Sequence, residues 1–97
     1  MRREEYVFCI GFEGSTAIID GKLQRRYRSF STRQLAEAGL YKQALCSATW
    51  SGKPEELEEV LGVFNARTPV PVRTAEELAR IFGVSGVPEG VKKITVV

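Results

Sequence analysis

The side chains best suited to chemistry in this chain are two cysteines, a run of arginines and a short loop rich in glycine and hydroxyl groups. The sequence contains no histidine, which is the commonest general acid or base near neutral pH and the commonest metal ligand. Two cysteines far apart in the chain are too few for a structural zinc site. We therefore predict a protein that is not an enzyme, with no cofactor and no metal.

The segment 22–42 is the most basic part of the chain. It carries six cations and one acid, a net charge of +5, whereas the whole chain carries +2. Aromatic residues lie between the cations, so this surface could follow a phosphate backbone while its rings stack on bases. The alternative is a solvated edge strand, where charge discourages pairing with other chains. The candidate residues for binding a nucleic acid or another polyanion are Arg25, Arg26, Arg28, Arg33 and Lys42.

A second candidate site is the loop formed by Glu13, Gly14, Ser15 and Thr16. Its backbone N–H groups and hydroxyls could hold a phosphate group. The favoured alternative is a tight turn in which the glycine serves backbone geometry alone.

Cys9 and Cys46 lie among apolar neighbours, which is typical of buried cysteines that act as small hydrophobic residues. Only two cysteines in a chain of 97 residues favour a reducing compartment. No apolar run approaches the ~18 residues that span a bilayer, and the charged start does not resemble a signal peptide. We therefore expect a cytoplasmic protein without a membrane partner.

The first third of the chain predicts three consecutive strands. Residues 6–12 and 16–20 are rich in β-branched and aromatic residues, with a polar connection between them. Asp20-Gly21 is a strong signal for a type I′ hairpin turn, and the charged segment 22–29 would follow as an edge strand. Because both faces of 6–12 are apolar, we expect that strand to lie inside the sheet.

Helices are predicted next. Ser31 and Gln34 fit a capping box at the start of a helix that extends to residue 51, and Gly39 either divides this helix or only weakens it. Pro54 starts another helix, and the segment 74–83 has a cap at each end. Residues 91–97 alternate apolar and polar side chains, which predicts a final strand.

The predicted fold class is therefore α+β, in a single domain that covers residues 1–97. An antiparallel meander of three strands precedes three or four helices and a C-terminal strand. A strand that follows a helical crossover usually pairs in parallel with an earlier one. We expect it beside the first strand, which gives the sheet order 3-2-1-4 with the helices mainly on one face.

The leading functional hypothesis is a small binding or regulatory module that acts through protein–protein interaction. A homodimer is also expected if the apolar final strand lies at a sheet edge, where it would invite pairing with a second copy. The alternative is nucleic-acid or polyanion binding through the basic segment 22–42. A phosphate site at the loop 13–16 is the weakest of the three hypotheses.

Overall fold

The computed structural model describes all residues from 1 to 97 and shows an α+β chain with six helices and three strands. In chain order the elements are α1 Arg3–Val7, β1 Cys9–Glu13, β2 Thr16–Ile19, α2 Gly21–Tyr27, α3 Thr32–Glu37, α4 Tyr41–Ser51, α5 Pro54–Arg67, α6 Ala75–Ile81 and β3 Lys93–Val96.

The three strands form one mixed sheet in the order β1-β2-β3. β1 and β2 are antiparallel and are joined by a turn in which Gly14 has a φ of 59°. Glycine tolerates this left-handed conformation without a steric penalty. A bulge interrupts the register between Cys9 and Gly11. β3 runs parallel to β2, so β1 and β3 are the two edges of the sheet.

The first strand begins later than predicted and lies at an edge. The Arg2 backbone N–H donates to the Glu5 carboxylate, and the residues that follow form the short helix α1. Tyr6 and Val7 are buried as part of this helix rather than as alternating residues of a strand. The apolar character of both faces therefore reflects a buried helical turn, and the prediction of a central strand at 6–12 was wrong.

The predicted third strand, 22–29, is helix α2. The Asp20 side chain accepts a hydrogen bond from the Leu23 backbone N–H at 3.1 Å and so caps this helix. Asp20-Gly21 is consequently not a hairpin turn, and no antiparallel meander forms. The physical reason is that lysine, leucine, glutamine and arginine all favour helix, while an aspartate at the N-cap satisfies an otherwise unpaired N–H group.

The final strand is confirmed, and so is its parallel pairing, but it lies beside β2 rather than β1. Because the segment after β2 forms helix α2 and not a strand, the edge of β2 opposite β1 is free to pair with β3. The Gly21 N–H donates to the Val97 carbonyl at 3.0 Å, and the Lys92 N–H donates to the Ser15 carbonyl at 2.8 Å. These bonds hold both ends of β3, and the predicted order 3-2-1-4 is wrong.

The helical region follows the sequence signals closely. Gly39 divides the predicted helix into α3 and α4, with a φ of 82°. Its N–H donates to the Ala36 carbonyl and the Leu40 N–H donates to the Leu35 carbonyl, which is the Schellman arrangement at a helix end. The capping box of Ser31 and Gln34 is present.

The hydrophobic core lies where α1, β2 and the helices α3 to α6 meet. Its largest fully buried side chains are Phe8, Ile19, Leu35, Leu45, Leu78, Val7 and Val60. Helix α4 is central to this arrangement because it packs against α1, α3 and α5. None of the six helices has both the length and the apolar character needed to cross a membrane.

Candidate functional site

The concave site that contains both cysteines is a cleft between β1, the first half of α4 and the loop that follows α6. Its volume is about 250 Å³. One wall is formed by residues 9–12 of β1 and the other by residues 83–88 of the loop, with α1 and α4 between them. We call this site the β1 cleft; the side chains and glycines that line it are Tyr6, Cys9, Ile10, Gly11, Phe12, Lys42, Cys46, Gly83, Val84, Ser85, Gly86 and Pro88.

Tyr6, on α1, is joined to the loop wall of the cleft. Its hydroxyl donates a hydrogen bond of 2.7 Å to the Ser85 carbonyl, which fastens the loop to α1. Burial, together with the neighbouring Cys46 and Cys9 thiols, raises the pKa of Tyr6 to about 12. The phenol therefore stays protonated at neutral pH and acts as a hydrogen-bond donor.

Both cysteines line the same cleft, as free thiols. The half-exposed Cys9 donates to the carbonyl of Gly11 at 3.2 Å. Cys46 is only 6% exposed, and this burial raises the pKa of its thiol to about 11, although the nearby Lys42 ammonium opposes the shift. Because the thiolate is the reactive form, Cys46 contributes packing rather than nucleophilic chemistry, as the sequence suggested.

Lys42 is the only charged side chain that lines the β1 cleft. The ion pairs in the chain involve Arg2 and Arg33, so Lys42 has no acidic partner. One charge without a counter-ion, set among apolar side chains, gives the cleft a positive character.

The strand that borders the cleft exposes large apolar side chains. Ile10 is 54% exposed and Phe12 is 48% exposed. On its outer edge β1 pairs with no other strand, and the backbone hydrogen bonds formed outside helices and strands do not involve residues 9–13. An apolar cleft and an unpaired strand edge therefore lie side by side.

The predicted basic residues do not form one surface. Arg25 and Arg26 lie on α2 and Arg28 is its C-cap, and all three are exposed. Arg33 instead pairs with Glu37 at 3.5 Å and with Glu59 at 3.9 Å.

Lys42, the fifth predicted residue, belongs to the β1 cleft. The predicted edge strand is a helix, so its arginines project around α2 instead of alternating across a sheet. Arg26 lies over the Tyr27 ring, with its guanidinium carbon 5.2 Å from the ring centroid. Arg28 shares a shallow depression with Arg2, Arg3 and Glu4.

The predicted phosphate loop is the turn between β1 and β2. Glu13 pairs with Thr16, so Gly14 and Ser15 form the tip of the hairpin. The Ser15 carbonyl accepts hydrogen bonds from Lys92 and Lys93. These contacts give the loop a role in placing β3, and its residues do not line the β1 cleft.

A polar network lies on another side of α4, over a depression of about 350 Å³. Arg3 donates to the Ser47 hydroxyl at 2.8 Å and to the Phe30 carbonyl at 2.8 Å. The Ser47 and Thr32 hydroxyls lie 2.7 Å apart, and Thr32 also donates to Glu56. We call Arg3, Thr32, Ser47 and Glu56 the polar network; they use their polar groups on one another.

No group of three or more histidine, cysteine, aspartate or glutamate side chains is arranged to hold a metal ion. Comparison with protein-family models, with curated proteins and with solved structures finds no match to this chain. The chemistry of the β1 cleft itself is therefore the basis for assigning a function.

Sequence reasoning singled out three cleft residues, Lys42 for a different surface and Cys9 and Cys46 as packing residues, and it missed the cleft as a whole. The cleft combines residues from near both ends of the chain with residues of α4. The one available signal was the concentration of glycine and proline after α6, which marks an exposed loop. That signal does not indicate which strand the loop will face.

Proposed function

We propose that this protein is a small binding module that captures an extended segment of a partner protein along the outer edge of β1. The observation that carries the proposal is the unpaired edge of β1 beside an apolar cleft. A peptide that adds a strand to a sheet gains affinity from main-chain hydrogen bonds and specificity from pockets for its side chains. The edge of β1 and the β1 cleft together offer both kinds of contact.

The other edge of the sheet is less suited to this role. All four residues of β3 are exposed, but β3 contributes nothing to the cleft. Its main-chain groups pair with β2 on one side and with no strand on the other. The edge of β3 is where a second copy of this chain would pair in the expected homodimer, whereas the edge of β1 is suited to a different protein.

The apolar walls suit a peptide that carries large aliphatic or aromatic residues. Ile10 and Phe12 present their side chains to solvent at roughly half of their full exposure, and Pro88 lines the opposite wall. A cleft of about 250 Å³ is slightly below the usual range for small-molecule pockets, which begins at roughly 300 Å³. It is sufficient for one or two side chains of a bound segment.

The experiment is a selection of unstructured peptides from a random display library, followed by affinity measurements on Phe12→Asp and Val70→Asp. Phe12 lines the cleft, while Val70 is 77% exposed and lies outside it, so the second variant is a matched control. We expect selected peptides to bind the wild type and Val70→Asp alike. Binding to Phe12→Asp should be weaker by about tenfold or more, because a central apolar contact is lost.

Alkylation of Cys9 provides an independent readout of the same site. The thiol is half-exposed and lines the cleft, so a bound peptide should slow its reaction with iodoacetamide. Peptides that bind Phe12→Asp as tightly as the wild type, and leave the Cys9 rate unchanged, would place the interaction elsewhere and refute the proposal.

A second candidate function is polyanion binding at α2. The observation that favours it is a group of exposed cations that take part in no ion pair: Lys22, Arg25, Arg26 and Arg28. The local electrostatic field of these cations, rather than the small net charge of the chain, would attract a phosphate backbone. This candidate is weaker because α2 has only seven residues and because Arg33 and Lys42, which were predicted to share its surface, lie in ion pairs and in the β1 cleft.

A titration of single-stranded and duplex nucleic acids at two salt concentrations tests this candidate. We expect micromolar binding that weakens with salt and that is lost when Arg25, Arg26 and Arg28 are all replaced by alanine. The matched control is Arg33→Ala, since the Arg33 charge is already paired with glutamates. Absence of binding at low salt would exclude the nucleic-acid function.

A further inference from the structure

Lys42 is placed to recognise an anionic group inside the β1 cleft. It is the only charged residue of the lining, and it has no acidic partner. Its side chain is partly withdrawn from solvent, and a charge interacts more strongly where the surroundings are less polar than water. A ligand group that carries a negative charge would therefore gain more here than at an exposed lysine.

The loop opposite β1 adds further hydrogen-bond donors. The backbone N–H groups of Ser85 and Gly86 donate to no backbone carbonyl in the chain, and both residues line the cleft. Gly83, at the start of this loop, has a φ of 69°. Successive amides in a turn after such a residue can form a concave arrangement that binds anions.

The loop that carries these amides is tied to the rest of the cleft by a hydrogen bond. The hydrogen bond from Tyr6 to Ser85 joins α1 to the loop. A segment that ends in the cleft can place its terminal carboxylate against Lys42, whereas an internal segment offers a negative charge only through an acidic side chain.

We infer that the β1 cleft binds the free carboxyl terminus of a partner protein that ends in apolar residues. This inference rests on the proposed function. The terminal carboxylate lies against the Lys42 ammonium and the amides of Ser85 and Gly86, and the last side chains pack between Phe12 and Pro88. Charge complementarity selects the carboxylate, and the apolar walls select the residue that carries it.

The experiment uses two arrays of random octapeptides on which the wild-type protein is bound. In one array the peptides are attached by their N-terminus and present a free carboxylate, and in the other they are attached by their C-terminus. The strongest binders from either array are then synthesised in three forms: with a free carboxylate, with a terminal amide, and with a terminal amide plus an aspartate near the end.

We expect the strongest binders to come from the array with free carboxylates. Their amidated forms should bind about tenfold more weakly, as is typical when a charge-assisted contact is removed. The Lys42→Met variant should lose most of this difference, because only the Ser85 and Gly86 amides would still favour the carboxylate. The matched control Lys53→Met, whose lysine lies outside the cleft, should keep the difference.

The outcomes separate this inference from the function on which it rests. Some peptides could bind through Phe12 with equal affinity in their free-carboxylate and amide forms. That result would refute recognition of a terminal carboxylate and leave the proposed addition of a strand to β1 intact. If the aspartate form restores binding, the ligand is an internal acidic segment, which also overturns recognition of a terminus. If no peptide of either array binds through Phe12, the proposed function itself fails.

Discussion

Helix α4 presents the polar network on one side and the β1 cleft on another. In the network, Ser47 bonds with both Arg3 and Thr32, and no buried side-chain nitrogen or oxygen in the chain is left without a partner. In the cleft, Lys42 has no acidic partner and faces exposed apolar side chains. The polar groups of the network bond within the protein, whereas the β1 cleft leaves the charge of Lys42 available to a ligand.

This difference separates structural polar residues from candidates for binding. A satisfied network links α1, α3, α4 and α5, and it contributes to the specificity of their packing. An unpaired ammonium in an apolar cleft contributes little to folding, so its value lies in what it can bind. The β1 cleft, at about 250 Å³, is smaller than the depression of about 350 Å³ over the polar network. The two sites also differ in whether their polar groups have partners.

The largest expected loss of stability comes from breaking the network with Thr32→Val. This change keeps the size of a side chain that is 5% exposed but removes the hydroxyl that bonds with Ser47 and Glu56. Partners left unsatisfied in a buried site cost about 1–3 kcal/mol. Urea denaturation should show this decrease in the free energy of unfolding.

Thr49→Val is the matched control for Thr32→Val. The Thr49 hydroxyl donates only to the Leu45 carbonyl of its own helix, so its loss leaves no buried polar side chain without a partner. We expect a change within about 0.5 kcal/mol. Equal effects of the two substitutions would show that the network does not have the structural role assigned to it.

The two cysteines of the cleft should differ in their rates of alkylation. Burial raises the pKa of Cys46 from 9.0 to about 11, which lowers its thiolate fraction at pH 8 roughly a hundredfold. With iodoacetamide, Cys9 should react first and Cys46 much later, as followed by mass spectrometry of proteolytic peptides. In urea the two rates should converge. Rapid alkylation of Cys46 in the folded protein would contradict the burial of its side chain.

Alkaline pH should destabilise the protein through the same groups. A free cysteine and a free tyrosine lose their protons near pH 9.0 and 10.0, whereas Cys46 and Tyr6 have folded-state pKa values of about 11 and 12. Between pH 9 and 12 the unfolded chain therefore holds fewer protons than the folded chain, and raising the pH favours unfolding. Stability should be greatest below pH 9 and fall as the pH approaches 12.

Tyr6→Phe tests the contribution of Tyr6 to this pH dependence. The variant lacks the phenol, so its free energy of unfolding should fall less steeply than that of the wild type above pH 10. The absolute stability at pH 7 also changes, since the bond to Ser85 is lost, and only the slope against pH is compared. Parallel slopes would mean that Tyr6 titrates normally in the folded protein.

The sequence predicted the polar side of α4 better than the cleft. Local signals act over three or four residues, and they correctly placed the cap at Ser31 and the start at Pro54. They marked Gly39 as a possible break, and the structure decides that it divides the helix. These features position α3, α4 and α5, which carry Thr32, Ser47 and Glu56. The strands were harder because Asp20-Gly21 fits both a hairpin turn and a helix cap, and residues distant in sequence decide between them.

One such distant contact settles the position of β3. A side chain at Gly21 would have its Cβ 2.8 Å from both a Val96 methyl group and the Val97 carbonyl. The glycine therefore serves close packing of α2 against the final strand rather than a turn with positive φ. No pattern within the segment 16–29 reveals that approach, so the edges of the sheet, and with them the cleft, could not be predicted.

The smallest expected effect on stability is that of Lys42→Met, and it sharpens the contrast between the two sides of α4. Methionine keeps the aliphatic length of the side chain and is also a good helix former. Because Lys42 has no ion pair to lose, the free energy of unfolding should stay within about 0.5 kcal/mol of the wild type. The substitution should nevertheless slow alkylation of Cys46 further, since the ammonium lowers the pKa of that thiol. A loss of stability comparable to that of Thr32→Val would show that Lys42 is part of the scaffold, and the cleft would then offer no free charge to a ligand.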